Sequence, residues 1–164
     1  MLAVVILASP ADRAHGDAIV QALEAYGIPC EVRISSAHKT PAHLLELLRS
    51  YEADPRAKVY ITVAGRSNAL SGLVDAQVAA PVIACPPYSE RYAGADLMSS
   101  LRTPSGVAPA VVLEPENAAL LAAKVLGLAC PGLQQKVREA QEAQRQRLLA
   151  ADAASANGPR AREG

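Results

Sequence analysis

Cys30-Glu31-Val32-Arg33-Ile34-Ser35-Ser36-Ala37-His38-Lys39-Thr40-Pro41 decides the fold. Its first five residues read as a strand, small polar residues follow, and Thr40-Pro41 reads as the N-cap and first position of a helix. Ala64-Gly65-Arg66-Ser67-Asn68 repeats the arrangement directly after a second strand, Val59–Val63. Both strings fall where a strand ends and a helix begins, which is where open parallel α/β sheets bind ligands. Each offers small residues and helix-starting N–H donors suited to an anion, and the first adds an imidazole beside an ammonium group. Together they point to a phosphorylated small molecule and proton-transfer chemistry.

Working outward, the run Leu2-Ala3-Val4-Val5-Ile6-Leu7 is apolar at every position, as in a strand buried on both faces. Ile19, Ala22, Leu23 and Tyr26 recur at helical spacing, and Gly27 supplies the stop. Leu44, Leu45, Leu48 and Tyr51 give a second helix its buried face, and a third helix is expected over Ala69–Val78. Val82-Ile83-Ala84-Cys85 reads as a fourth strand ended by Pro86-Pro87. A short helix is expected around Asp96–Leu101, a fifth strand over Ala110–Leu113, and a helix over Pro115–Leu126 closed by Gly127. This alternation predicts an α/β protein, a three-layer αβα sandwich around a flavodoxin-like parallel sheet. Pro131-Gly132 is read as a break, followed by a helix over Leu133–Ala150 whose thin apolar stripe suits a neighbouring subunit's surface. The expected division is a catalytic domain over 1–128, a helical extension over 129–150 and a disordered tail over 151–164.

Composition narrows the function classes. A chain of 164 residues is long enough for one real core. Its 16 basic and 16 acidic residues cancel, so no global field favours nucleic acid or an anionic membrane. Absence of Phe and Trp argues against a base-stacking module, and it leaves the core to Ala, Val, Leu, Ile and Tyr. Such a core buries less area per residue, which makes burial between subunits an attractive supplement. Cys30, Cys85 and Cys130 are scattered, fitting a reducing compartment and neither a disulfide framework nor a zinc site. Leu2–Ala8 is too short for the core of a signal peptide, and no apolar run approaches a membrane span. A soluble cytoplasmic protein with no metal site is expected.

Several residues admit a functional and a plain reading. Ser9 can donate to a phosphate or ribose oxygen and Asp12 can accept from ribose hydroxyls; alternatively, Ser9 caps the first helix and Asp12 complements its dipole. His38 is either solvated or the proton-transfer group; alone the first is the plainer reading, and its place at a strand's carboxyl end, behind Ser35-Ser36 and beside Lys39, brings the second level with it. Arg66 is a phosphate fork or a salt-bridged surface group. Gly65 permits close backbone approach. Ser67 and Asn68 cap the next helix or bind substrate. His15 and His43 read as surface residues, and the three histidines lack metal-ligand spacing. Arg102-Thr103-Pro104-Ser105-Gly106 is a turn able to cover a site, and Glu114-Pro115-Glu116-Asn117 is a helix N-terminus.

These strings in this order resemble the PurE family of purine biosynthesis, from the first strand to about Leu128. The resemblance rests on Ser9 and Asp12, Ser36-Ala37-His38-Lys39-Thr40-Pro41, Ala64-Gly65, Pro81-Val82-Ile83, Ser99-Ser100-Leu101 with Pro104-Ser105-Gly106, and Asn117-Ala118-Ala119-Leu120-Leu121-Ala122. One branch of the family, a mutase, has Arg after the histidine and Gly-Gly-Ala-Ala-His after strand three. Lys39, the Ala64–Asn68 loop, Cys30 after Gly27-Ile28-Pro29, and Cys85-Pro86-Pro87 look instead like the branch that carboxylates aminoimidazole ribonucleotide directly with CO2. The first loop departs from the usual Gly-Ser-x-Ser-Asp: Ala8 adds a methyl and Ala11 removes a hydroxyl, which is expected to weaken phosphate binding.

The resemblance implies that carbon 4 of aminoimidazole ribonucleotide attacks CO2, with His38 taking the carbon-4 proton and Lys39 stabilising developing negative charge. Ser9, Asp12 and Ser36 would position the ribose phosphate, while Gly65 and Ser67 frame the imidazole and CO2. It also implies a homo-oligomer, commonly an octamer. The competing expectations are the mutase reaction on the N5-carboxyamino compound and a non-catalytic phospho-ribonucleotide binding module.

Overall fold

The computed structural model describes residues 1–156. Five parallel strands, β1 (Leu2–Leu7), β2 (Cys30–Ile34), β3 (Lys58–Val63), β4 (Val82–Ala84) and β5 (Ala110–Val111), lie in the order β2-β1-β3-β4-β5. That is the flavodoxin-like order, and its reversal falls between β1 and β3. Register runs Ala3 to Cys30 and Leu7 to Ile34 on one side of β1, and Leu2 to Lys58 and Leu7 to Val63 on the other. The first residues of all three following loops are thereby brought level.

Side-chain alternation along β1 explains both helical layers. Ala3, Val5 and Leu7 share a core with Ile19 and Leu23 of α1 (Arg13–Ala25) and with Ala118, Ala119, Ala122 and Ala123 of α5 (Pro115–Gly127). Leu2, Val4 and Ile6 face Leu44, Leu48 and Tyr51 of α2 (Pro41–Glu52) and Leu70 and Val74 of α3 (Ala69–Asp75). The small α5 face lets that helix lie close to the sheet. Gly27 ends α1 with φ at 68°, a left-handed conformation that a side chain disfavours.

Three local expectations are corrected. Thr40 precedes α2, but its side chain makes no capping bond; its hydroxyl is engaged in the preceding turn. Pro131 does not break the chain: it opens α6 (Pro131–Ala156), where a missing N–H costs nothing. That helix runs on through Ala151–Ala156, where disorder was expected; residues 157–164 lie outside the described residues. Leu133 and Val137, the start of its apolar stripe, are buried in the chain's own core, and Lys136 Nζ donates to the Tyr26 carbonyl at 3.1 Å. Farther along, Leu148 and Leu149 are 67% and 62% exposed. The short helix expected near Asp96 is present as a tight turn over Ala95–Leu97 continued by α4 (Met98–Leu101).

Candidate active site

The carboxyl ends of β1, β2 and β3 enclose a cavity of about 500 Å³. Ser9, Asp12, Ser36, His38, Lys39, Gly65 and Ser67 all line it, together with Ala8, Ala11 and Arg66. All seven residues singled out from the sequence therefore meet at one place, and it is the switch point of the sheet.

The first wall comes from the turn after β1. Ser9 accepts a hydrogen bond from the Ala11 N–H at 3.2 Å and so caps the single turn Pro10–Asp12 that leads into α1. Partial burial raises the Asp12 pKa, against lowering by a backbone hydrogen bond from Ser9 and by the charges of His15 and Arg66. The cavity therefore holds a carboxylate in reach of water but partly stripped of it.

The second wall is the 35–40 turn, and Thr40 closes it. Its Oγ1 accepts from the Ser36 N–H at 2.9 Å, lies 3.1 Å from Ser35 Oγ and donates to the Ser36 carbonyl at 3.3 Å. Ser36 Oγ in turn accepts from the Lys39 N–H at 3.3 Å. Ser35 is buried, so the turn is pinned from below while His38 and Lys39 stand exposed at the cavity. This clasp uses the small polar residues to fix the backbone that carries the imidazole and the ammonium group.

The third wall is the 64–68 loop. Asn68 settles its open reading as a cap: it is buried, and its Oδ1 accepts from the Ser71 N–H and hydroxyl at 3.2 and 2.8 Å. A Cβ at Gly65 would meet Pro87 and Asp96 only at ordinary contact distances of 3.7 and 3.8 Å, so packing within the chain does not demand glycine there. Arg66 adopts a left-handed conformation, φ 60°. Among the described residues neither Arg66 nor Lys39 is in an ion pair, which leaves two cations free at a cavity suited to an anion.

His43 is exposed, as expected, but His15 is not the surface residue that sequence reading made it. It is half-buried, with Nε2 3.3 Å from Cys85 Sγ. Burial holds its pKa below the ordinary value, against raising by the Cys85 backbone and by Asp12, Glu114 and Glu116. Cys85 itself is fully buried, and burial together with Glu114 and Glu116 pushes its thiol up to about 12. Burial also raises Cys30, ahead of the charge of Glu24, so neither thiol is an activated nucleophile. The Arg102–Gly106 turn is exposed and forms no part of the cavity lining. Among the described residues no group of three or more His, Cys, Asp or Glu side chains is placed to hold a metal ion, and no helix is long and apolar enough to cross a membrane.

Comparison with known proteins gives a consistent result. The family model described as AIR carboxylase matches residues 2–147. That reach corrects the expectation that the resemblance stops near Leu128, and it takes in most of α6. The phosphoribosylaminoimidazole carboxylase of Treponema denticola is 48% identical over 151 residues, 92% of this chain and 95% of that protein. The protein of the same name from Archaeoglobus fulgidus is 50% identical over 152 residues, 93% of this chain and 83% of that one. The crystal structure of Treponema denticola PurE superposes with a TM-score of 0.91 at 47% identity, covering 93% of this chain and 96% of that one. On fold, on sequence over nearly its whole length and on the family model alike, the chain belongs to the AIR carboxylase, or PurE, family.

Proposed function

We infer that this chain is an enzyme of purine biosynthesis that carboxylates 5-aminoimidazole ribonucleotide to the 4-carboxy compound. The observation that carries the inference is 48–50% identity to phosphoribosylaminoimidazole carboxylases along nearly the whole chain. The cavity at the switch point, with its two unpaired cations, is consistent with a phosphorylated substrate.

The finer reading is that CO2 itself is the co-substrate and that no cofactor takes part. Carbon 4 of the aminoimidazole is enamine-like; its electron pair forms the new bond to the carbon of CO2, whose oxygens take the negative charge. Carbon 4 then bears both a hydrogen and a carboxylate. Transfer of that proton to the His38 imidazole returns the electron pair to the ring and restores aromaticity. Lys39 stands next to His38, where a compact ammonium charge stabilises the forming carboxylate. Ser9, Asp12 and Ser36 hold the ribose phosphate, and Gly65 and Ser67 frame the ring and CO2. Because CO2 is a poor ligand, most of the catalytic work is orientation in a restricted cavity. Lys39 and the Ala64–Asn68 loop are what favour direct carboxylation over the mutase reaction.

Residues 1–128 supply every residue in this scheme, and 129–150 act as an extension that meets a neighbouring subunit in a cytoplasmic homo-oligomer, an octamer. The exposed Leu148 and Leu149 on α6 support such a contact. The purified protein is to be assayed with aminoimidazole ribonucleotide plus bicarbonate, and separately with the N5-carboxyamino compound. Product from the first pair without ATP is expected. Turnover of the second compound alone would make the protein a mutase, and turnover of neither would leave a binding module.

A further inference from the structure

We propose that Asp96, outside the cavity and assigned no part above, is the positioning residue that fixes the catalytic geometry of the 65–68 loop; this rests on the carboxylation reading. Asp96 lies in the turn before α4, thirty residues downstream of the loop it holds. Its Oδ2 accepts from the Arg66 N–H at 2.9 Å. Three residues on, the Ser99 hydroxyl shares its one proton between the Arg66 carbonyl at 2.8 Å and the Asp96 carbonyl at 2.7 Å, and accepts from the Asn68 N–H at 3.0 Å. Ser100 Oγ accepts from the Asn68 side-chain amide at 2.9 Å. One short segment thus satisfies both backbone groups of Arg66 and both N–H-bearing groups of Asn68. Ser67 sits between these two anchored residues and lines the cavity.

Two unfavourable features converge on this contact. Arg66 is held left-handed, at φ 60°, where a non-glycine residue is strained. Asp96 Oδ1 is buried yet accepts no hydrogen bond among the described residues, although its partner oxygen is used. Neither is a stabilising arrangement. A loop selected only for stability would carry glycine at position 66 and a fully satisfied side chain at 96. Strain of this kind persists where surrounding contacts over-determine it, and here those contacts come from Asp96 and Ser99. Gly65, Arg66 and Ser67, with the left-handed Arg66 at their centre, all line the cavity.

The other two walls do not depend on this segment. The Ser9–Asp12 turn is capped by Ser9 and the 35–40 turn is clasped by Thr40. If those walls hold the ribose phosphate, losing Asp96 disturbs the reacting end of the substrate and spares its anchor. The expected signature of Asp96→Ala is a kcat lowered roughly 10- to 100-fold, the scale of a misplacement near 1 Å, with KM for aminoimidazole ribonucleotide changed less than about threefold. Asp96→Asn keeps an acceptor for the Arg66 N–H and should recover most of the lost kcat. Hydrogen exchange should quicken over 65–68 in the alanine variant, with the β1 and β3 amides unchanged.

The experiment is steady-state kinetics of parent, Asp96→Ala and Asp96→Asn with aminoimidazole ribonucleotide and bicarbonate, alongside exchange measured by mass spectrometry. If Asp96→Ala does not fold, Ser99→Ala takes its place, with the same signature expected. An active parent with unaltered kcat in the alanine variant overturns the inference and leaves the carboxylation reading intact. Equal losses in both Asp96 variants, or a loss seen in KM rather than kcat, also overturn it. An inactive parent overturns the carboxylation reading, and the catalytic role of Asp96 with it.

Discussion

Replacing Thr40 with Val preserves the shape of the side chain and deletes the one hydroxyl that closes the turn carrying His38 and Lys39. Three contacts go with it: the bond from the Ser36 N–H at 2.9 Å, the pairing with Ser35 Oγ at 3.1 Å and the donation to the Ser36 carbonyl at 3.3 Å. Each such bond contributes about 0.5–1.5 kcal/mol net, and water can replace those on the exposed side. Ser35 is buried at 2% exposure, so its hydroxyl keeps only a long contact to the Thr40 carbonyl at 3.5 Å. The sum is a loss of about 1–3 kcal/mol. In a chain of this size that lowers Tm by roughly 2–4 °C per kcal/mol. Activity should suffer more, because a slack turn moves the imidazole and the ammonium group together; a loss of about 10- to 100-fold in kcat/KM is expected. Thr40→Ser retains the hydroxyl and should stay close to the parent in both measures. Thermal unfolding followed by circular dichroism, with kinetics on the same samples, decides the matter. A valine variant with the parent's Tm and kcat/KM would show that the clasp positions nothing.

Other perturbations test separate parts of the account. His38→Asn should lose about 10²–10⁴-fold in kcat with an unchanged circular dichroism spectrum, the usual contribution of general acid–base catalysis; a loss of only a few-fold would remove His38 from the proton-transfer step. His15 has its folded-state pKa lowered below 6.5, so folding favours the neutral ring; its contribution to stability is present above pH 6.5 and lost as pH falls below it. His15→Gln should therefore flatten the fall of Tm on the acid side, and identical slopes in parent and variant would contradict this. Leu133→Ala should cost about 2–5 kcal/mol in urea unfolding, because this residue is 4% exposed within the chain's own core; a near-neutral effect would make α6 an appendage throughout.

What could be read without coordinates follows from the range of the forces involved. β1 was legible because a strand buried on both faces must be apolar at every position, and Leu2–Leu7 is. The gathering of Ser9, Ser36, His38, Gly65 and Ser67 was legible because a parallel sheet brings all its strand ends to one edge. Features set by distant contacts were not. His15 meets Cys85 only through the packing of α1 beside β4, and no local pattern around His15 announces it. Asp96 reaches Arg66 across a segment of irregular turns, where periodicity carries no signal. Thr40-Pro41 has the residues of a capped helix start, but the competing acceptors and donors of Ser35 and Ser36 claimed the hydroxyl first. Pro131 illustrates the same ambiguity in reverse: proline serves equally to end a segment and to begin a helix, and the buried Leu133 and Val137 decided for the second.

The central claim is that the new carboxyl carbon comes from free CO2. Incubating the protein with aminoimidazole ribonucleotide and 13C-labelled bicarbonate, with no ATP, and following the product by carbon NMR tests it most directly. The expected result is a 13C-enriched carboxyl group on carbon 4, formed at a rate proportional to protein and lost with His38→Asn. No labelled product from this pair, with turnover of the N5-carboxyamino compound that keeps its own carboxyl carbon in the presence of label, would contradict it.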